Sequence, residues 1–506
     1  MSNERPRDGT RGSGTAARRR RGQDGLAGSR GIVAVASLAL LAAAAHAAEP
    51  ALAPSGDGQA PAGDRSRVSV AYAGSHRVRF AYLDDQFRPG LAGDDRVLSL
   101  RTAFRVEAQW PRVTAVGELQ DARAYLTDRQ SAVSTSIVNA LDLAQAYASF
   151  RVGRAEETRW RLQAGRSLLE LGSGRLVAAE VYRDVPRTFT GVVAERPVGA
   201  GRVIAFAVRP VDVRPAEREA LLDNEIELDE ESATVRFWGA FYERPAPARR
   251  ARAEVYAFGL RERDGPPHVE TRDRRLVTAG WRIARAAAPG TWDFEVEAAW
   301  QRGDARASAA PQDVRDLDVR ARFRHAQAGF TLRRPWSPRI AIEHERGSGD
   351  ADPADGRWGR FDALFGNRRV DLAPTSIYGA LGRENIDTVG VRLTLTPGSR
   401  TDAFVAYRAV RLAAAADAFA STGVRDPTGA SGRDGGRQLD ARFRRWLVPG
   451  VLRLDAGVTH LDAGRFLRQA PNATRQGDTT FVYADLTYAF ARRPAREPAT
   501  GGGRAR

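Results

Sequence analysis

Arginine is the side chain best placed to do chemistry in this sequence, and its spacing shows of what kind. All 78 Lys+Arg residues are arginine, and the formal net charge is +16. Part of that excess goes with an alanine- and glycine-rich composition, so placement carries more weight than number. Arg101, Arg105, Arg161, Arg320, Arg322, Arg392, Arg442, Arg444 and Arg453 each occupy the polar parity of a segment whose alternate residues are apolar. A guanidinium stays charged and grips a carboxylate with a planar fork. A row of them along facing strands would pass an anion from site to site, provided each contact is weak enough to release it. The competing use is structural: Glu107, Glu295, Asp318, Asp440 and Asp455 share the same parity and would neutralise neighbouring arginines.

Other chemistry is thin. Asp350, Asp352 and Asp355 with Gly356 make a weak calcium candidate, because oxygen-rich turns suit hard cations, but the spacing is not that of an EF-hand. Beyond that the sequence offers no metal set: the six histidines are scattered without His-x-x-x-His spacing. His344 and Ser348 lie four apart with no supporting motif for nucleophilic catalysis. There is no phosphate-binding glycine loop or dinucleotide fingerprint. These features argue against an enzyme and against any cofactor. The absence of cysteine excludes disulfides and thiolate metal sites and fits an oxidising compartment. A nucleic-acid reader is excluded because the arginines alternate along strands rather than forming a patch with stacking aromatics.

The elements that must hold these arginines are strands. In Val97 to Trp110, Leu98, Leu100, Thr102, Phe104, Val106, Ala108 and Trp110 share one face and Arg101, Arg105 and Glu107 the other. Successive strand residues point to opposite sides, so period two over that length means a strand longer than globular domains usually use. The pattern recurs at 160–164, 291–300, 317–323, 439–444 and 452–458, with Leu317, Val319, Ala321 and Phe323 read as the apolar outer face and Arg320 and Arg322 as inward. Tight turns at Trp110-Pro111-Arg112, Ala288-Pro289-Gly290, Thr396-Pro397-Gly398 and Val448-Pro449-Gly450 alternate with long polar segments at 121–141, 211–232, 347–387, 412–437 and 462–479. Short turns at one end, long loops at the other, charged inner faces and terminal aromatics predict an all-β fold: a transmembrane antiparallel β-barrel of about eighteen strands, from the chain length and roughly 50 residues per hairpin. The 347–387 segment is long enough to fold inward and gate the pore.

The chain ends fit export. Residues 1–47 read as a signal peptide, with Arg18 to Arg21 as charged start, an apolar run from Ile32 and Ala45-His46-Ala47 as cleavage site. Removing it leaves the chain strongly basic. A flexible linker at 48–65, a barrel over 66–490 and a disordered basic tail at 491–506 follow. Val482, Ala484, Leu486, Tyr488 and Phe490 alternate up to an aromatic residue, as the final strand of a barrel does when assembly machinery reads it.

Two motif series then resemble the alginate export family of outer-membrane porins. The first includes Gly165 and Arg166, then Gly172, Arg175 and Leu176-Val177, then Thr188-Phe189-Thr190-Gly191, with Thr190 where the family often has aspartate. The second is Gly349 and Asp350, then Phe361 and Asp362, then Asn385 and the strand from Val389. The resemblance implies a monomeric eighteen-stranded barrel in the outer membrane of a Gram-negative bacterium. It would export an anionic polysaccharide such as alginate through an arginine-lined lumen, with periplasmic secretion partners, barrel assembly machinery, outer-membrane lipid and lipopolysaccharide around it. The alternative on the same fold is an anion-selective porin for uptake of small organic or inorganic anions.

Overall fold

The computed structural model describes residues 68–91, 93–153, 159–246, 250–264, 271–369, 371–372, 374, 376–474 and 477–492. The expected signal peptide at 1–47, the expected linker at 48–65 and residues 493–506 of the expected tail at 491–506 lie outside these residues, while Ala491 and Arg492 belong to the last strand. Eighteen long strands run in chain order: β1 Ser69–Asp84, β2 Asp95–Gln109, β3 Val113–Tyr125, β4 Asn139–Val152, β5 Trp160–Leu168, β6 Thr188–Val198, β7 Gly201–Asp212, β8 Val235–Arg244, β9 Arg252–Glu262, β10 Arg275–Arg285, β11 Trp292–Ala305, β12 Leu317–Thr331, β13 Arg339–Gly347, β14 Ile386–Gly398, β15 Thr401–Arg411, β16 Asp434–Val448, β17 Leu452–Ala463 and β18 Thr479–Arg492. Each pairs antiparallel with its neighbours in sequence, and β18 closes on β1 through pairs such as Phe80↔Ala484.

Closure explains why this sequence can sit in lipid. Every ladder bond is made inside the sheet and no edge is left, which a hydrocarbon solvent requires. The outward side chains are apolar and uncovered by protein: Phe80, Phe104, Val192, Val255, Trp300, Ile342, Val389 and Leu486 are all exposed. A water-soluble protein would bury such a band. Trp160, Trp292, Trp336 and Phe443 stand outward toward the short-turn end, and Trp238, Trp300 and Tyr407 toward the other, as interfacial girdles do. The turns at the end where β1 begins and β18 ends are short, down to Gly199–Ala200, and those at the opposite end run to the 348–385 loop. Short turns mark the periplasmic side.

The extracellular loops carry the rest of the fold. The 213–234 loop holds a short helix, α1 (Arg218–Leu222), and a two-residue strand at Glu230–Glu231 that pairs with the top of β7. The 464–478 loop holds α2 (Arg465–Gln469). Two loops turn into the barrel and make its core: 169–187 and 348–385 meet in a parallel bridge, Val177↔Phe365. Leu171, Leu176, Val177 and Phe361 pack there against the inward faces of β7 to β12, and Leu372, Ile377, Tyr378 and Leu381 against β1, β2 and β14 to β18.

Candidate functional site

The lumen is polarised. From β7 to β13 acids outnumber arginines among its charged inward side chains, and all of those arginines but Arg252 are paired: Arg202 with Glu195 at 2.8 Å and Glu243 at 2.5 Å, Arg282 with Glu254 at 2.6 Å and Glu295 at 2.8 Å, and Arg339 with Asp293 at 2.5 Å. From β14 round to β2 arginines outnumber acids among the charged inward side chains. Arg442 and Arg444 share one acid, Asp402, at 3.2 and 2.8 Å. Arg77 stands directly opposite Arg101 across the β1–β2 ladder. Arg392 meets Glu343 at 2.7 Å, and Arg105 meets Glu107 at 3.2 Å and Glu118 at 3.7 Å. Arg161, inward near the periplasmic mouth, is 3.6 Å from Glu195.

Two arginines of the basic wall have no carboxylate partner among the described residues. Arg101 donates only to the carbonyl of Val181, at 3.3 Å. The Arg453 guanidinium lies 5.4 Å from the centre of the Trp446 ring. Apart from the Arg101–Val181 contact, neither guanidinium has a hydrogen-bond partner among the described residues, and the Nε of each is buried.

The 169–187 loop crosses between the two walls. At one end Arg175, 2 % exposed, forks onto Asp371 of the second loop at 2.8 and 3.1 Å, and reaches Glu297 of β11 at 2.8 Å and also Glu295. At the other, Asp184 takes Arg77 at 2.7 Å, Arg79 at 3.4 Å and the Ser99 hydroxyl at 3.0 Å. Strands β11 and β1 stand on opposite sides of an eighteen-stranded ring, so the loop is a strap across the lumen. The second loop runs alongside: Asp362 binds Arg274 at 2.7 Å, Arg369 binds Asp455 at 3.1 Å, and the Tyr378 hydroxyl donates to Gln438 at 2.7 Å. The space left beside Arg175 and Arg392 is a cavity of about 240 Å³, with a second of about 210 Å³ toward Arg252 and Arg339.

The motif residues build this arrangement. Gly165 has φ +123°, and a Cβ there would run into the Ala146 carbonyl oxygen. Gly172, at φ +59°, lets the strap turn past Phe241 and Glu254. Phe361 stacks on Phe323 with ring centroids 5.5 Å apart. Asn385, fully buried, takes the Ala414 N–H at 2.7 Å and donates to the Ala414 and Ala418 carbonyls. A Cβ on Gly349 would collide with the Asn385 side chain. Arg166 points outward, where it binds Glu231 of the 213–234 loop at 3.0 Å, joined by the Thr190 hydroxyl at 2.9 Å. It anchors a loop and does not line the lumen.

Two inward assignments are corrected. Arg320 and Arg322 point outward, as does Asp318, while Val319, Ala321 and Phe323 point inward and are buried. Here the apolar face of the strand serves the buried loop core, not lipid, because this part of β12 lies above the apolar band. Asp350, Asp352 and Asp355 do not gather around one point: Asp350 is buried and accepts from the Gly359 N–H at 3.3 Å, while Asp352 and Asp355 cap the exposed turn that holds them. Among the described residues two groupings of converging ligand atoms do occur, at His325, Glu345 and Asp371 and at Asp84, Asp85 and Asp94. The first is already occupied by Arg175 and Arg383. Asp184 had no signal of its own, but the apolar, glycine-rich stretch from Leu169 to Val177 announces a loop that cannot lie in water.

Known structures share this architecture. The chain is similar to OccAB4 of Acinetobacter baumannii (10% identity, TM-score 0.54, covering 85% of this chain and 100% of that one). It is similar to OccK9 (OpdG) of Pseudomonas aeruginosa (13%, 0.54, 84% and 98%) and to OpdK of the same organism solved with vanillate (11%, 0.52, 83% and 99%). No curated protein sequence matches the chain. The model of the alginate export family matches residues 68–481. With a closed barrel, a lipid-facing apolar band and a charged lumen, the chain belongs to the alginate export family and is an outer-membrane channel of a Gram-negative bacterium.

Proposed function

We propose that this channel is anion-selective and passes small organic or inorganic anions one at a time along the basic wall. The observation that carries this reading is the pair of carboxylate-free arginines, Arg101 and Arg453, on the basic side of a lumen crossed by two folded-in loops. A low-dielectric wall focuses their field and raises the local anion concentration, while the acids on the far wall keep binding weak enough for release. Two loops folded into the lumen and tied to each other there suit single small acids rather than a continuous polymer. Export of an alginate-like polysaccharide is the second reading, favoured by the family match. It requires the strap at 169–187 to leave the lumen.

The test is single-channel recording of the refolded barrel in a planar bilayer under a salt gradient, with a monocarboxylate and then an oligouronate added. An anion-selective current blocked by the monocarboxylate supports the proposal. Block by the oligouronate alone favours polymer export. A cation-selective or closed pore overturns both.

A further inference from the structure

The arginines on the outside of the barrel pose a separate problem. At the extracellular end of β8 to β13 they face one another in register: Arg236↔Arg261, Arg261↔Arg275, Arg302↔Arg320 and Arg324↔Arg346. All point away from the lumen. Side chains directly opposite on neighbouring strands lie roughly 5 Å apart at Cβ, and like charges in that position repel. Some are relieved: Arg320 by Asp318 at 2.6 Å, Arg346 by Asp387 at 2.7 Å and Arg275 by Asp273 at 3.0 Å. Arg236, Arg261, Arg302, Arg322 and Arg324 have no acid partner among the described residues, and all five are exposed.

Their height on the barrel says what would relieve them. Below Arg324 the outward side chains of β12 are Ala326, Ala328 and Phe330, and beside Arg322 stands the exposed Trp300 of β11. The arginines therefore begin where the apolar band ends, at the level of lipid headgroups in the outer leaflet. A guanidinium binds phosphate through two parallel hydrogen bonds, and adjacent guanidinium groups on one phosphate would turn the in-register repulsion into attraction.

We propose that the outer face of β11 to β13, around Arg302, Arg322 and Arg324, is a docking surface for the phosphate groups of a phosphorylated glycolipid of the outer leaflet. Acyl chains would run down past Ala328 and Ile342, and the phosphates would lie across the arginines. The surface is independent of the solute in the lumen.

The experiment is native mass spectrometry of the mature barrel in detergent, titrated with bis-phosphorylated lipid A, with the same lipid dephosphorylated, and with inorganic phosphate. The expected result is retention of bis-phosphorylated lipid A by the parent protein and a loss of about tenfold or more in affinity in R302Q/R322Q/R324Q. R101Q, in the lumen, should bind like the parent. Folding of each variant is checked by the heat-dependent gel shift of the closed barrel, and R322Q alone, expected to lose about threefold, serves if the triple variant does not fold. Equal retention by parent and variants, equal binding of dephosphorylated lipid, or displacement by millimolar inorganic phosphate would each overturn the proposal.

Discussion

Substituting Arg175 with methionine should convert a quiet channel into one with a visible wider state. The guanidinium is 2 % exposed and sits between Asp371, Glu297 and Glu295, joining the strap, the second loop and the wall at one point. Removing one member of a buried ion pair costs about 3–5 kcal/mol, because the remaining charges are left uncompensated. At about 1.4 kcal/mol per tenfold, the ratio of seated to released strap falls by roughly two to three and a half orders of magnitude. Single-channel recording of R175M should show a sublevel of higher conductance, with selectivity shifted toward cations by the freed acids. R175K keeps the charge but loses the fork, so it should retain selectivity and open less often. R175M/E297Q should recover part of the closure, since one uncompensated acid has gone. Traces of R175M indistinguishable from the parent, in a barrel shown to be folded, would refute the view that Arg175 seats the strap.

Three further outcomes are expected. G165A places a Cβ against the Ala146 carbonyl at φ +123°, a strain of about 1–3 kcal/mol, and should lower the temperature at which the closed barrel unfolds on gels. F361A removes a fully buried ring, costing about 3–5 kcal/mol, and should speed hydrogen exchange in 348–385 while leaving β1 to β4 unchanged. The Asp229 carboxyl in the 213–234 loop is pushed up to about 7 by burial and by hydrogen bonding to Asp142. An acid with a raised value holds its proton more tightly folded than unfolded, so its contribution is complete below the ordinary aspartate value of about 4 and is lost as pH rises through 7. Proteolysis of that loop should accelerate between pH 5 and pH 8, and D229N should flatten the dependence.

Much of the barrel was legible because period two is a property of the backbone itself. The long strands at 97–110 and 291–300 could be read with the correct face outward, since their polar parity carries acids or arginines and their apolar parity ends in tryptophan. The same rule failed at β12. Val319, Ala321 and Phe323 alternate with Arg320 and Arg322 just as lipid-facing residues alternate with lumen-facing ones elsewhere. Alternation says that two faces differ, not which medium each meets. The decision there rests on a distant residue, Phe361, brought onto Phe323 by the second loop. Arg175 was visible only through its motif, and its partners Glu297 and Asp371 are remote in sequence. The apolar residues from Leu169 to Val177 were the available sign that a loop enters the barrel.

The arginines thus divide by what stands next to them, and this gives the proposed anion pathway a sharper test than charge counting. Selectivity under a salt gradient reports net charge in the lumen, so replacing any inward arginine by glutamine should move it in the same direction. Holding an anion is different, because it needs guanidinium donors that no carboxylate already occupies. Arg442 and Arg444 are committed to Asp402, and Arg105 to Glu107, whereas Arg101 and Arg453 are not. R105Q/R442Q/R444Q should therefore shift the reversal potential while leaving block by a small monocarboxylate within about threefold of the parent. R101Q/R453Q should shift the potential less, by two charges rather than three, yet weaken the block by about tenfold or more. If block followed net charge in both variants, the pathway would be a diffuse field along the wall and the two unpaired arginines would have no special part in it.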